Sequence, residues 1–248
     1  MPESPSTPAP RTARERVRRE LTREIKQTAL AQLASGGGAA LSLRAIAREM
    51  GMASSALFRY FPSRDALLTA LIIDSYNELA DTADAAEARV HDRSVADRWM
   101  AICHGVRDWA VAHPHEYGLI FGSPIPGYAA PPGTVAPASR VPLLLGDLLV
   151  GRMSEGGYDA EVHPEPSTAV QHALDPVRAL MPADVPSDLM VRGLMAWTYL
   201  FGAVSFEVFG HRHNVIADQG TFFEHEVRRL ATVLDLAAGA RTGEIDDS

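Results

Sequence analysis

The sequence predicts an all-α protein with a small N-terminal helical domain and a larger helical body. Apolar residues recur at helical spacing along most of the chain, as at Val17, Leu21 and Ile25 in the first predicted helix. No segment alternates convincingly between apolar and polar residues, as a half-buried strand would. Glycine and proline fall between the periodic segments, where helices end. At 248 residues the chain can form one or two domains.

Composition and periodicity divide the chain into four segments. Residues 1–13 are rich in proline, serine and threonine, so we predict a disordered arm there. We place the small domain at 14–68, the helical body at 69–240 and an acidic tail at 241–248. Within the body, residues 122–142 hold six prolines and are predicted to form a structureless loop. The helices are predicted near residues 14–34, 43–50, 54–61, 63–89, 94–112, 116–121, 142–155, 167–181, 187–211 and 219–238.

The best-defined motif consists of two short helices around a glycine, within residues 42–68. Ser42 occupies the N-cap position of the first helix, where its hydroxyl can accept a backbone N–H. Gly51 can adopt the left-handed conformation that ends a helix, and a second helix runs from Ser54 to just before Pro62. This spacing is typical of a DNA-binding helix-turn-helix, although an ordinary helical hairpin shares it. The apolar positions of the first helix are Leu43, Ile46, Ala47 and Met50.

The charges differ in sign between the two parts of the chain. Residues 1–70 carry eleven basic and six acidic groups, a net charge of +5. The remaining residues carry twelve basic and twenty-five acidic groups, a net charge of −13. Five arginines between Arg11 and Arg19 could lie along phosphates or enter a minor groove, or could form a solvated helix face. The division confines attraction for nucleic acid to one end of the chain.

The motif resembles the N-terminal domain of the TetR family of transcriptional regulators over about residues 14–70. At residue 58 the family usually has a tyrosine whose hydroxyl binds phosphate, so Phe58 removes one expected contact. A looser resemblance, to the ligand-binding region of one TetR subset, covers residues 113–128. That subset often has histidine where this chain has Phe201, so no role of that histidine carries over. The positions that match the N-terminal signature are Ile46, Ala47, Gly51, Met52, Leu57, Phe58, Tyr60, Phe61, Ser63, Arg64 and Leu67.

The resemblance implies a DNA-reading surface on the motif. We expect Arg44, Ser54 and Ser55 to face base edges, because they lie on the two motif helices. Phosphate contacts are expected from Ser42, Tyr60 and Arg64, and Phe58 completes the predicted surface. The partner is double-stranded DNA with a near-palindromic operator, whose half-sites lie about one helical turn apart or modestly more.

The predicted helix at 187–211 is apolar nearly all round, and such a helix must be covered on more than one side. The body can cover one face, and a second copy of the chain is an economical cover for the other. TetR relatives dimerise through their last two long helices as a four-helix bundle. We therefore predict a homodimer joined through residues 187–211 and 219–238, with Trp197, Phe201, Val204 and Val208 at the interface.

Aromatic side chains concentrate on two predicted helices of the body, more than a thin helical layer can easily fill. We therefore predict a mainly apolar effector pocket with the loop 122–142 at its entrance. The alternative is a solid core and a loop without function. Glu207 is expected to pair with His211 or with the dimer mate rather than to bind a ligand. The predicted pocket residues are Trp99, Cys103, His104, Arg107, Tyr117 and Phe121, with His104 and Arg107 as the polar groups.

The chain shows no arrangement of acid, base or nucleophile, and we predict that it is not an enzyme. Residues 151–156 differ by one position from a nucleophile elbow and lack the strand that this motif needs. Histidine pairs two residues apart, such as His113 and His115, point in roughly opposite directions on a helix, so we expect neither metal nor cofactor. Cys103 is the single cysteine, which fits a reducing cytoplasm. We see no signal peptide and no apolar run of about eighteen residues, and we expect no membrane span.

These observations predict a TetR-type DNA-binding regulator, a repressor that a small-molecule effector releases from its operator. One alternative is a DNA-bound dimer without an effector, controlled by a protein partner. The other is an enzyme on an all-α scaffold. A mobility-shift experiment separates the enzyme from the two DNA-binding proteins, and thermal shifts with a small-molecule library separate those two.

Overall fold

A computed structural model describes residues 13–36, 41–154, 164–181 and 185–236. These residues form helices and no strand, which confirms the predicted all-α fold. The acidic tail, all but the last residue of the predicted arm, and most of the segment between the helices predicted at 142–155 and 167–181 lie outside the described residues. The α-helices are α1 Ala13–Gly36, α2 Leu43–Glu49, α3 Ser54–Leu57, α4 Arg64–Ala88, α5 Val95–Ala112, α6 Pro114–Phe121, α7 Val135–Ser154, α8 Thr168–Ala173, α9 Asp175–Arg178, α10 Ser187–Val208 and α11 Gln219–Val233.

The chain divides into two compact units. The N-terminal unit comprises residues 1–72 together with 123–130, and it includes α1, α2, α3 and the beginning of α4. Residues 123–130 are attached there by a hydrogen bond of 2.9 Å between the hydroxyls of Thr69 and Tyr128. No sequence pattern predicts this tertiary contact. Buried apolar side chains of the N-terminal unit include Ile25, Leu43, Ile46, Leu57, Phe61, Leu67 and Leu71.

The second unit, for which we keep the name body, comprises residues 73–122 and 131–248 and contains the larger core. Its central helix is α5, which packs against α7, α10 and α11. Ser94 caps α5 by accepting the backbone N–H of Asp97 at 3.1 Å, which satisfies a donor that the helix itself leaves free. The apolar side of α5 is buried, with Trp99, Ile102, Cys103, Val106 and Trp109 in the core.

The start of α7 differs from the predicted structureless loop at 122–142. The helix begins at Val135 and continues through Pro142 to Ser154. Pro137 lies in the first turn, where a backbone N–H has no intrahelical partner, so proline is tolerated there. Pro142 lies further inside the helix, next to the buried Val141. The prediction was wrong because it counted prolines without weighing their positions in a helix.

Two shorter elements also depart from the predicted helices. The helix predicted at 167–181 is divided into α8 and α9 at Leu174, because Pro176 cannot donate a backbone hydrogen bond. α3 ends at Leu57, and the chain reaches Phe61 through a turn in which the Phe61 N–H donates to the Leu57 carbonyl at 3.1 Å.

Two segments, Pro132–Ser154 and Ser187–Val208, are long and apolar enough to cross a membrane by length and composition alone. The first segment is not a continuous apolar run, because polar and charged residues, such as Arg140 and Asp147, interrupt it. Both segments supply buried side chains to the core of the body. Core helices of soluble proteins pass the same test.

Candidate functional site

The helix-turn-helix is formed by α2 and α3 of the N-terminal unit. Gly51 lies between them with a φ of 63°, in the left-handed region that favours glycine. The Met52 N–H donates to the Ala47 carbonyl at 2.8 Å and closes the turn. The Ser42 hydroxyl accepts the N–H of Ala45 at 3.4 Å. Both the N-cap and the glycine turn that the sequence predicted are therefore present.

The seven predicted DNA-reading residues all lie between the N-cap of α2 and the first residue of α4. Tyr60 and Arg64 are partly buried, whereas the other five are exposed: Ser42, Arg44, Ser54, Ser55 and Phe58. Phe58 leaves 43% of its surface in solvent. An exposed phenylalanine ring can make apolar contact with the methyl group of thymine. The surface is thus accessible and mixes hydroxyl, cationic and aromatic groups.

Neighbouring side chains hold the two partly buried members of this set. The guanidinium of Arg18, on α1, lies 5.4 Å from the centroid of the Tyr60 ring, within the range of a cation–π interaction. Arg64 Nη1 lies 3.4 Å from Asp65 Oδ1 at the start of α4. Ser63 accepts the Ala66 N–H at 3.0 Å and so caps α4. Tyr60 and Arg64, the predicted phosphate-binding residues on either side of Pro62, therefore each contact a neighbouring side chain.

The predicted DNA-binding set omits basic residues that the structure places near it. Arg48, in the last turn of α2, and Arg59, after α3, are both exposed. The charge count of the N-terminal segment includes both and could have identified them. The contact of Arg18 with Tyr60 joins residues that are far apart in the sequence, so no local pattern predicts it.

The body contains an apolar cavity of about 220 Å³. Most of its wall comes from α7 and α10, and α5 and α9 contribute one residue each. Spaces between the helices of a bundle are common sites for small ligands. Residues that line it include Trp99, Ser139, Leu145, Val177, Met190 and Trp197.

Of the six residues predicted to line an effector pocket, Trp99 lies on the wall of this cavity and the other five do not. Cys103 is buried in the core, where burial raises the pKa of its thiol well above the usual value. His104 pairs with Glu224 of α11. Neither Cys103 nor His104 therefore lines this cavity.

The predicted pocket residues of α6 fill the core. The Tyr117 hydroxyl donates to the Phe201 carbonyl at 3.1 Å and lies 2.9 Å from the Ser205 hydroxyl. Burial raises the pKa of Tyr117 to about 12, although the hydrogen bond with Ser205 acts in the opposite direction. The centroid of the Phe121 ring lies 4.5 Å from that of Phe201. The aromatic side chains of α6 are thus used to pack this helix against α10.

Glu207 forms a bidentate ion pair with Arg107 rather than with His211. Arg107 Nε and Nη2 donate to the two Glu207 oxygens at 2.8 and 2.6 Å. The hydrogen bond with Glu207 raises the pKa of Arg107. The expected i+4 pair with His211 fails because α10 ends at Val208, so helical spacing no longer applies. Arg107, predicted as a ligand-orienting group, is therefore committed to holding α5 and α10 together.

α10 buries the face that was predicted to form the dimer interface. Phe201 and Val204 are buried in the core of the same chain, and Trp197 and Val208 pack against that core. Other elements of the body, including α5 and α6, already cover this side. These four side chains therefore lie on the side of α10 that packs within its own chain. The large apolar residues exposed on α10 are Met195 (61% exposed), Tyr199 (44%) and Phe206 (51%).

A buried ion pair lies beside this exposed face. Glu226 of α11 accepts hydrogen bonds from both Nη atoms of Arg212 at 2.8 and 2.9 Å, and from the Tyr199 hydroxyl at 2.6 Å. The Arg212 guanidinium lies 5.8 Å from the centroid of the Phe206 ring. The network therefore holds Tyr199 and Phe206 in place.

Within the described residues, no group of three or more His, Cys, Asp or Glu side chains is placed to hold a metal ion.

Comparison with known proteins agrees with this architecture. Residues 25–71 match the profile of bacterial regulatory proteins of the tetR family, and residues 99–230 match the tetracyclin repressor-like C-terminal domain. The chain is 38% identical over 227 residues to the HTH-type transcriptional regulator Rv1816 of Mycobacterium tuberculosis, covering 88% of this chain and 93% of the relative. The corresponding Mycobacterium bovis protein, Mb1846, gives the same values.

Solved structures share the fold of this chain. The crystal structure of SCO4313 superposes with a TM-score of 0.73 at 36% identity and covers 89% of this chain and all of that one. The fatty acid degradation regulator FadR of Bacillus halodurans shares the fold, with a TM-score of 0.57 at 15% identity over 86% of this chain and 97% of its own. Both predicted resemblances are thereby confirmed, and the chain belongs to the TetR family of transcriptional regulators.

Proposed function

We propose that this regulator is a repressor that leaves its operator when a small molecule enters the body. The observation that carries the proposal is the combination of an exposed helix-turn-helix in one unit with an apolar cavity in the other. An empty cavity lowers the stability of a core. A body that served only to join two DNA-binding units would be more stable with this space filled, so the cavity is best explained by a ligand.

The proposed docking places the N-terminal end of α3 in the major groove. Ser54 and Ser55 begin α3, and the small Ala53 and Ala56 flank them, so no bulky side chain keeps the backbone from the bases. Arg44 is exposed on α2 and is long enough to reach a base edge, where arginine pairs best with guanine. These three polar side chains would supply the base contacts.

Phosphate contacts are proposed for Ser42, Tyr60 and Arg64. The Ser42 oxygen accepts a hydrogen bond in the cap of α2, which leaves its hydroxyl proton available for a phosphate. The net charge of +5 on residues 1–70 attracts DNA, and the net charge of −13 on the remainder repels it. The protein would therefore approach DNA with its N-terminal unit first, in the cytoplasm where bacterial DNA is found.

A second copy of the chain is proposed to cover the exposed apolar face of α10. This face presents Met195, Tyr199 and Phe206. Gly202 lies between them, and a Cβ atom at Gly202 would meet no atom within 4 Å, so a partner helix can approach closely. A two-fold dimer would present two helix-turn-helix motifs to a near-palindromic operator.

Sedimentation of a single variant tests the dimer. Met195→Arg should convert the protein to a monomer at micromolar concentration, because a partner would have to bury an unpaired charge. Val170→Arg is the matched control, since Val170 is also exposed but lies on α8. A dimer that survives Met195→Arg would contradict the assigned face.

The path of the chain suggests how a ligand could act on the N-terminal unit. Ser139 and Leu145 of α7 line the cavity, and α7 begins shortly after residues 123–130, which belong to the N-terminal unit. A ligand that displaces α7 would therefore pull on that segment. The ligand must prefer the DNA-free form, since equal affinity for both forms shifts nothing. A tenfold preference supplies about 1.4 kcal/mol per site.

Selection of DNA from a random pool, followed by mobility shifts on the selected site, tests the function. We expect a near-palindrome that the protein binds and that an apolar small molecule releases. Absence of any selected site would contradict DNA regulation by this chain. A site that is bound tightly but that no ligand of the cavity releases would favour the alternative, a dimer controlled without a small-molecule effector.

A further inference from the structure

Two tryptophans line the cavity of the body, and their indole N–H groups differ. Trp99 Nε1 donates to the Val227 carbonyl at 2.8 Å, so that its hydrogen-bonding capacity is satisfied within the protein. Trp197 Nε1 is buried and meets no acceptor in the part of the chain that the structure describes. A buried polar group without a partner is costly, and native structures rarely keep one without a reason.

The rest of the described wall offers little to a polar ligand. It is almost entirely apolar, and it includes no charged side chain within the described residues. The hydroxyl of Ser139 donates to the Val135 carbonyl at 2.9 Å inside α7. A buried water needs two to four polar partners, and Trp197 and Ser139 together offer it few. The unpaired N–H is therefore better matched by an acceptor on an otherwise apolar molecule.

We propose that this cavity binds an uncharged, mainly hydrocarbon ligand that carries one carbonyl-type oxygen, which accepts the hydrogen bond of Trp197. A carboxylate is disfavoured because the described wall has no cation to pair with it. The claim that this molecule is also the effector rests on the proposed function. The chemical class of the ligand is inferred from the cavity and does not rest on that function.

The volume of the cavity also limits the size of the ligand. An apolar cavity of about 150 Å³ in another protein binds benzene. At about 220 Å³, this cavity takes a somewhat larger molecule, such as one ring with a short side chain. Met181 and Met190 on the wall are unbranched and flexible, so they can adapt to the outline of a ligand.

Three probes of similar shape test the proposal on the full-length protein. Butyrophenone has the carbonyl, butylbenzene lacks it, and 4-phenylbutanoate replaces it by a terminal carboxylate. We expect ligand-observed NMR titrations to give the tightest binding for butyrophenone and the weakest for 4-phenylbutanoate. Trp197→Phe should weaken butyrophenone about threefold to tenfold, the effect of one net hydrogen bond, and leave butylbenzene unchanged.

Trp109→Phe is the matched control. Trp109 Nε1 is also buried without an acceptor in the described structure, but Trp109 does not line the cavity. This variant should leave the affinities for all three probes unchanged. A loss at Trp109→Phe equal to that at Trp197→Phe would show a general effect of deleting an indole N–H, and it would overturn the assignment.

The comparison of the three probes in the unmodified protein does not depend on whether a variant folds. Equal binding of butyrophenone and butylbenzene, tightest binding of the carboxylate, or no binding of any probe would each overturn the proposal. Release of the protein from the selected operator is measured separately, by mobility shifts. The expected probe order without operator release would support the ligand class and contradict the proposed function. Release by a compound whose effect persists in Met181→Trp, a cavity-filling change, would show that the effector acts at another site; it would contradict the proposed function and leave the ligand class to the three probes.

Discussion

The N-terminal unit and the body differ in how their candidate functional residues are brought together. In the N-terminal unit these residues follow one another along residues 42–64 and are mostly exposed. In the body, the cavity is lined by residues from Trp99 to Leu234 that only the packing of several helices brings together. The first arrangement depends on local helix caps and turns. The second depends on the whole core.

The polar groups follow the same division. The arginines of the helix-turn-helix, such as Arg44, Arg48 and Arg59, are exposed to solvent. Arg107 and Arg212 of the body are instead committed to largely buried carboxylates, Glu207 and Glu226. Substitutions of polar residues in the body should therefore change stability, whereas those in the motif should change affinity for DNA.

The largest effect is expected from Glu226→Ala, in the body. This change leaves Arg212 without its carboxylate in a site where both side chains are largely buried, which costs about 3–5 kcal/mol. Urea denaturation measures the free energy of unfolding. Arg228→Ala is the control on the same helix, because Arg228 is exposed; its loss should stay within about 0.5 kcal/mol. Equal losses for the two variants would remove the distinction between buried and exposed ion pairs.

Leu57→Ala should have the next largest effect, this time in the N-terminal unit. Leu57 is fully buried, so the truncation should cost about 2–5 kcal/mol and reduce operator binding. The neighbouring Phe58→Ala is the control, because an exposed ring contributes little to stability. Circular dichroism and mobility shifts are the measurements. If Phe58→Ala destabilised the protein as much as Leu57→Ala, the assignment of Phe58 to a contact surface would be wrong.

The same contrast explains which features could be predicted from the sequence. Ser42 and Gly51 follow local rules for capping and for positive φ, and the structure has both where they were predicted. The face of α10 that its own chain leaves exposed could not be predicted, because the sequence of this helix is apolar nearly all round. Which side is covered depends on α5 and α6, and this is why Phe201 is buried in its own chain.

Two further differences arise from long-range packing. The partner of Glu207 is Arg107, a hundred positions away, and no helical spacing connects them. The cavity lies beside Trp99 but away from Tyr117, because hydrogen bonds and ring contacts of Tyr117 fill the space around α6. Composition indicated that the body has much aromatic surface, yet only the packing decides where space remains.

Base reading and phosphate binding should separate within the motif. Arg44→Ala should cost about 1–3 kcal/mol on the selected operator and relax one base position. Arg64→Ala should weaken all sequences about equally and flatten the dependence of log affinity on log salt by about one. Mobility shifts at several salt concentrations measure both. Arg89→Ala, an exposed arginine of the body, is the control and should change neither. Parental binding by both motif variants would contradict the assigned surface.

The smallest expected effect tests whether the two units are coupled through residues 123–130. Within the N-terminal unit, the Tyr128 hydroxyl forms a hydrogen bond of 2.9 Å with the Thr69 hydroxyl. The chain continues from this segment into α7, which lines the cavity. Tyr128→Phe removes the bond, whose net contribution is about 0.5–1.5 kcal/mol. Operator affinity without ligand should change little, and release should need about threefold to tenfold more inducer.

A double-mutant cycle distinguishes this coupling from a general loss of stability. Thr69→Val should have the same effect as Tyr128→Phe, and the double variant should add nothing, because both changes remove one bond. Tyr76→Phe deletes a tyrosine hydroxyl in the body, where it donates to the Ile120 carbonyl at 3.4 Å, and should leave release unchanged. Titration of inducer against the bound operator is carried out on the parent protein and on all four variants. Additive effects of Thr69→Val and Tyr128→Phe would mean that the residues act independently, and the segment 123–130 would then not transmit ligand binding to the N-terminal unit through this bond.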